Sequence, residues 1–183
     1  MKELSLYILD IFYNALASEA SLIRIIVESD EKKDILRLKI TDNGIGMDRS
    51  FLKTVKDPYT TTRMTRNVGM GIPLLTQAAE QTGGNVTVLS KRNCGTMLKA
   101  DFVLSNIDTP PMGNLLESLI SMIVSLNQCD LLFVLKNNGK IVFDLDTAQL
   151  REVLGSEVPL NQPDVIAWIR EYFESEFENN TGE

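Results

Sequence analysis

The sequence predicts an α+β protein, and two observations carry that prediction. Apolar residues recur at helical spacing in some segments and in short, β-rich runs in others. The β-rich runs come as neighbours joined by turn residues, the pattern of antiparallel pairs.

Leu4, Ile8, Ile11 and Ala15 place an amphipathic helix over 2–18. LIRIIVES (22–29) and ILRLKIT (35–41) read as two strands flanking a turn at 30–34. Residues 49–68 are rich in Thr, Arg and Lys and lack a period, so they read as a loop with a short helix near 49–55. A helix fits from Gly71 to about Thr82, stopped by Gly83-Gly84. Residues 85–90 and 96–104 form a hairpin around KRNCG, and SNIDTPPMG (105–113) is a connector. There follow a helix over 114–126 and a hairpin of 130–136 with 140–145, joined at Asn137-Asn138-Gly139. A short helix over 147–154 and a last one over 163–178 complete the chain, with the acidic stretch beyond Arg170 expected to fray. Val165, Trp168, Ile169, Tyr172 and Phe173 share one face of that last helix, a stripe that reads as core.

Composition narrows the function classes. With 44% hydrophobic and 23% charged residues, the chain is ordinary globular material. No apolar run reaches the ~18 residues of a membrane span, and Glu3 and Asp10 argue against a signal peptide. Two cysteines and no histidine exclude a disulfide framework or zinc site and point to a cytoplasmic setting. The net charge of −7 argues against general nucleic-acid binding. That charge is unevenly spread. Residues 49–69 hold Arg49, Lys53, Lys56, Arg63 and Arg66 against Asp57 alone, whereas residues 105–183 hold four basic and thirteen acidic residues. A basic island in an acidic chain suits an anionic small molecule, though a solvated loop has the same composition.

Three short motifs carry chemistry, each with a bland alternative. In KITDNGIGMD (39–48), Asn43-Gly44 between apolar runs signals a hairpin. Alternatively, Asp42 reads a nucleotide base while Gly44 and Gly46 let the backbone approach it. Asp10 and Asn14 lie one above the other on a helix face beside the buried stripe. Such a carboxylate–amide pair serves a hard cation, or is simply an exposed polar pair. In NVGMGIPLL (67–75), Gly69 and Gly71 precede a helix whose first turn tolerates Pro73. Free N–H groups there make a phosphate cradle, or merely a turn. The lysine and hydroxyl of a P-loop are absent and no strand immediately precedes, so P-loop and Rossmann readings fail.

Their order distinguishes these readings. LDIFYNALASEA resembles the N box, DNGIGM the G1 box, GMGIPLL the G2 box and GTMLKADF the closing GT strand of the GHKL superfamily. DPYTTTR resembles the lid of its histidine-kinase branch. The superfamily includes DNA gyrase B subunits, heat-shock chaperones of the ninety-kilodalton class, mismatch-repair proteins and histidine kinases. The resemblance implies a Bergerat fold over 1–104: a two-layer α/β sandwich, its mixed, mainly antiparallel sheet backed by helices on one face. Residues 105–183 lie outside it as an α+β extension, packed on the first domain, extending its sheet or forming a small docking unit.

The resemblance also implies ATP and Mg²⁺ as ligands. Asp42 matches the acceptor of the adenine amino group, Thr96 the threonine that holds the water beside it, and Asn14 the Mg²⁺ ligand. Gly44 and Gly46 would allow close passage and Met47 would pack near the base. Gly69, Met70, Gly71 and Ile72 would offer backbone amides to the phosphates, with Thr61 and Arg63 in the lid over residues 55–68. Asp10 stands where the ATPase branch has a glutamate base, one methylene shorter, which implies slow turnover. With no histidine in the chain, autophosphorylation on histidine is excluded within these residues. Phosphoryl transfer to a partner protein stays open, as does a non-catalytic, ATP-dependent switch.

Overall fold

The computed structural model describes residues 3–56, 70–155 and 158–181. Its elements run α1 (Leu4–Ala17), β1 (Leu22–Asp30), β2 (Ile35–Asp42), α2 (Arg49–Thr54), α3 (Gly71–Gln81), β3 (Asn85–Lys91) and β4 (Gly95–Val103). They continue as α4 (Leu115–Ser125), β5 (Asp130–Asn137), β6 (Lys140–Asp146), α5 (Thr147–Leu154) and α6 (Pro163–Thr181).

One six-stranded sheet has the order β3-β4-β2-β1-β5-β6. Four pairings are antiparallel and one, β1 with β5, is parallel. Alternation explains the layers: Ile23, Ile25 and Val27, then Leu36, Leu38 and Ile40, then Leu131, Phe133 and Leu135, are all buried. The intervening Arg24 and Lys39 remain exposed. α1 and α3 pack over β1–β4, and α5 and α6 over β5 and β6, giving the expected two-layer sandwich. The connector also fastens α1, whose first amides Leu4 and Ser5 donate to the carbonyls of Pro111 (2.9 Å) and Met112 (3.1 Å).

Three expectations are corrected. The hairpin reading of Asn43-Gly44 fails, because the chain leaves the sheet after Asp42 and proceeds to α2. Ile45 N–H donates to Ser18 O (2.9 Å) and Ile45 O accepts from Asn93 N–H (2.7 Å), pinning this segment between two neighbours. Nor does the acidic tail fray after Arg170, since α6 continues to Thr181. Phe173 holds it by burying its ring 4.7 Å from Phe143 and stacking at 5.8 Å on Phe177, a helical turn further on. In the stripe on that helix, Val165, Ile169 and Phe173 are core, but Trp168 is exposed. No described helix is long and apolar enough to cross a membrane.

Candidate functional site

The last residue of β2 begins the site. Asp42 lies in register with Ile23 of β1 and Thr96 of β4, so two flanking strands fix its position. Its Oδ1 accepts from Gly44 N–H (2.9 Å) and from Ser18 Oγ (3.4 Å). Burial pushes the Asp42 carboxyl above its ordinary value, while the backbone N–H groups of Gly44 and Thr96 and the Ser18 hydroxyl pull it back.

The turn that follows is held by protein atoms. Asn43 Oδ1 accepts from Ser21 and Leu22 N–H, each at 2.9 Å, and its amide donates to Ser21 Oγ (2.8 Å). A Cβ on Gly44 would lie 2.0 Å from Ser18 Oγ and 2.5 Å from Ser18 O. Gly46 has φ +62°, and a Cβ there would meet Lys91 O at 2.1 Å. Both glycines are therefore required by the chain's own packing. Met47 N–H donates to Ser90 Oγ (2.8 Å), and that hydroxyl pairs with Thr96 Oγ1 (2.9 Å).

α1 supplies the second wall. Asp10, Asn14 and Ser18 are spaced four apart, so they rise along one face over ~12 Å. Ser18 touches Asp42 at one end of that row. At the other, the Asp10 Cβ lies 2.9 Å from where a Cβ on Gly71 would stand, so only a glycine lets α3 start this close. Between them, the buried Nδ2 of Asn14 has no hydrogen-bond partner among the described residues. An orphaned buried amide normally costs about 1–3 kcal/mol, which marks a place built for something else.

The N-terminus of α3 carries no side-chain cap: Met70, at the N-cap, is exposed, and no acidic residue occupies the first turn. Pro73 stands in that turn and Ile72 is turned into the core, leaving backbone amides as what the turn offers to an anion. The structure thus brings Asp10, Asn14, Asp42, Gly71 and Thr96 to one row of elements. Thr61, Arg63, Gly69 and the lid from residue 57 onward lie outside the described residues. Of the basic island, Arg49 and Lys53 are exposed on α2 and Lys56 donates to Val86 O on β3. Ser18, Asn43 and Ser90 were missed from the sequence. Ser90 was within reach, since counting out from a turn centred on Asn93 pairs it with Thr96.

The model of the histidine kinase-, DNA gyrase B- and HSP90-like ATPase family matches residues 2–106, more than half of the chain. The chain belongs to that family. Residues 2–106 are therefore a domain of this GHKL-type family, with the Bergerat architecture. Among curated proteins it is 37% identical over 70 residues to "Sensor protein DegM" of Bacillus sp. (strain B21-2). That match covers 38% of this chain and 18% of the sensor protein. Among the curated relatives it matches, the chain spans 13% and 18% of their lengths. Among solved structures, the N-terminal domain of a DNA repair protein superposes with a TM-score of 0.55 at 14% identity. That superposition covers 79% of this chain and 53% of the other, and it shows a shared fold. The Aquifex aeolicus MutL ATPase domain complexed with ADP gives 0.49 at 12% identity, over 84% and 69%.

Proposed function

We propose that the Asp10–Asn14–Ser18 row, closed by Asp42 at one end and α3 at the other, binds Mg·ATP. We further propose that it hydrolyses the nucleotide slowly or passes the γ-phosphoryl group to a partner protein. The observation that carries this reading is the orphaned, buried amide of Asn14 midway along the row.

Asp42 accepts the adenine amino group; a buried acceptor left unpaired penalises a base that lacks that donor. Thr96, tied to Ser90, holds the water beside it, and Met47 packs near the base. The phosphates meet the amides of Met70, Gly71 and Ile72, with Gly69 and the lid residues Thr61 and Arg63 contributing from outside the described segment. Asn14 fits a Mg²⁺ ion because a half-turn of its amide exchanges Nδ2 for Oδ1, the neutral oxygen such an ion accepts. A bound Mg²⁺ neutralises charge on the phosphate oxygens. Asp10, against the start of α3, takes the proton of the attacking water or protein hydroxyl as that oxygen bonds to phosphorus and the bond to ADP breaks. Its short side chain makes turnover slow.

Calorimetric titration with ATP, with and without Mg²⁺, tests the reading. Binding should vanish in Asp42→Ala and lose its Mg²⁺ dependence in Asn14→Ala. No binding by the intact chain at millimolar ATP overturns it. Turnover lost in Asp10→Asn with binding kept assigns the base; unchanged turnover removes Asp10 from that role, and binding without turnover in the intact chain replaces the enzyme with a nucleotide switch.

A further inference from the structure

The part of the chain beyond the family match contains a groove of ≈ 680 Å³ at the β6 edge, walled by α5 and α6. Its floor and walls are apolar: Leu145, Leu150, Val153, Val165, Trp168 and Tyr172. The groove is open, with Val153 83% and Trp168 46% exposed, although both side chains are large and apolar. Trp168 and Tyr172 stack with centroids 5.3 Å apart and planes 8° from parallel, so the aromatic wall is already formed. Pre-ordered aromatic anchors of this kind dominate binding energy at interfaces.

The rim is acidic. Asp144, Asp146 and Asp164 all line the groove. Asp146 caps α5 through Ala148 N–H (2.9 Å), while Asp144 and Asp164 have no basic partner among the described residues. Arg151, the basic residue of α5, is engaged by Asp130 (3.2 Å) and the Asn127 carbonyl. Burial and then the charges of Asp144 and Glu176 raise the Tyr172 phenol, as expected in a negative field.

We propose that this groove docks a basic, amphipathic helical segment of a partner protein. Apolar anchors on one face of such a helix fill the space between α5 and α6, and flanking Lys or Arg residues meet Asp144 and Asp164. Charge complementarity selects this occupant: a second copy of the acidic extension would bring carboxylates against carboxylates. The site is separate from the nucleotide site and stands whether or not ATP is turned over.

Trp168 is the only tryptophan, so its emission reports on the groove alone. The full chain is titrated with a Leu/Lys amphipathic peptide of about four helical turns, beside a Leu/Glu peptide of the same pattern. The expected result is a saturable blue shift with the Leu/Lys peptide, weakened in about 0.5 M salt and absent with Leu/Glu. The rim variant Asp144→Lys/Asp164→Lys and the wall variant Val153→Glu should each lose about tenfold or more in affinity. Both alter exposed residues, and melting curves confirm that they fold. Equal response to both peptides, undiminished binding by the variants, or no shift at all overturns the proposal. So does a shift that grows with protein concentration without peptide, which assigns the groove to a second copy.

Discussion

The molecule contains two Asn-Gly turns, and they use the same dipeptide for different physical reasons. Asn138-Gly139 joins β5 to β6 as a two-residue hairpin, with φ of +50° and +83° and Asn137 paired with Lys140. A Cβ on Gly139 would meet nothing within 4 Å, so this glycine is there for its backbone angle alone. Asn43-Gly44 closes no hairpin, and Gly44 is absent from the residues with positive φ. Its glycine is there because Ser18 leaves no room for a side chain. Gly139 serves local geometry; Gly44 serves a tertiary contact between the end of β2 and the end of α1. The contact at Gly44 also fixes the Asp42 side chain relative to α1.

The largest effect separates the two glycines directly. Gly44→Ala forces a methyl onto Ser18 Oγ and its backbone oxygen, and should cost about 2–3 kcal/mol of stability. Nucleotide affinity should fall with it, read by thermal melting and calorimetry. Adding Ser18→Gly removes the 2.0 Å contact but leaves the backbone oxygen at 2.5 Å, so it should restore only part of the loss. Gly139→Ala, by contrast, should cost about 1 kcal/mol from its angle alone, with nucleotide binding unchanged. Equal losses at the two positions would collapse the distinction.

The asparagines sharpen it at smaller magnitude. Asn43→Ala removes two accepted bonds and one donated bond that hold the turn to Ser21 and Leu22, worth about 1–2 kcal/mol, and should weaken nucleotide binding by loosening Asp42. Asn138→Ala removes one accepted bond, from Glu31 N–H, and should cost about 1 kcal/mol with binding intact. Chemical denaturation measures both.

This contrast also explains what the sequence disclosed. Alternation and turn residues placed β1–β6, and helical spacing placed α1 and α3, because each pattern is set by local backbone geometry. The four boxes pointed to Asp42, Asn14 and Gly71, which the fold brings to one row of elements. Ser18 and Asn43 were invisible since their roles depend on which residue faces them across the fold, 24 and about 22 positions away. Trp168 was misread as core for the same reason: a stripe shows which side chains share a face but not where the covering layer ends. The parallel pairing of β5 with β1 was likewise beyond a reading of neighbouring segments.

The smallest effect is a pH dependence confined to the half-buried Asp42 carboxyl. Burial raises the Asp42 carboxyl, so the folded protein takes up a proton at a higher pH than the unfolded chain does. An acid raised in this way destabilises the ligand-free fold at pH above its folded value. That penalty is relieved as pH falls through the interval between the folded and unfolded values. The ligand-free protein should therefore hold or gain stability slightly as pH is lowered through that interval. Nucleotide affinity should move the opposite way, because protonation converts the acceptor oxygen proposed to meet the adenine amino group into a donor. Asp42→Asn should bind more weakly and lose both trends, measured by melting and calorimetry across the acid range. The 138–139 hairpin holds no carboxylate, so Asn138→Ala should leave both trends in place. Stability and affinity falling in parallel in the intact protein would mean that Asp42 is not the group the nucleotide meets.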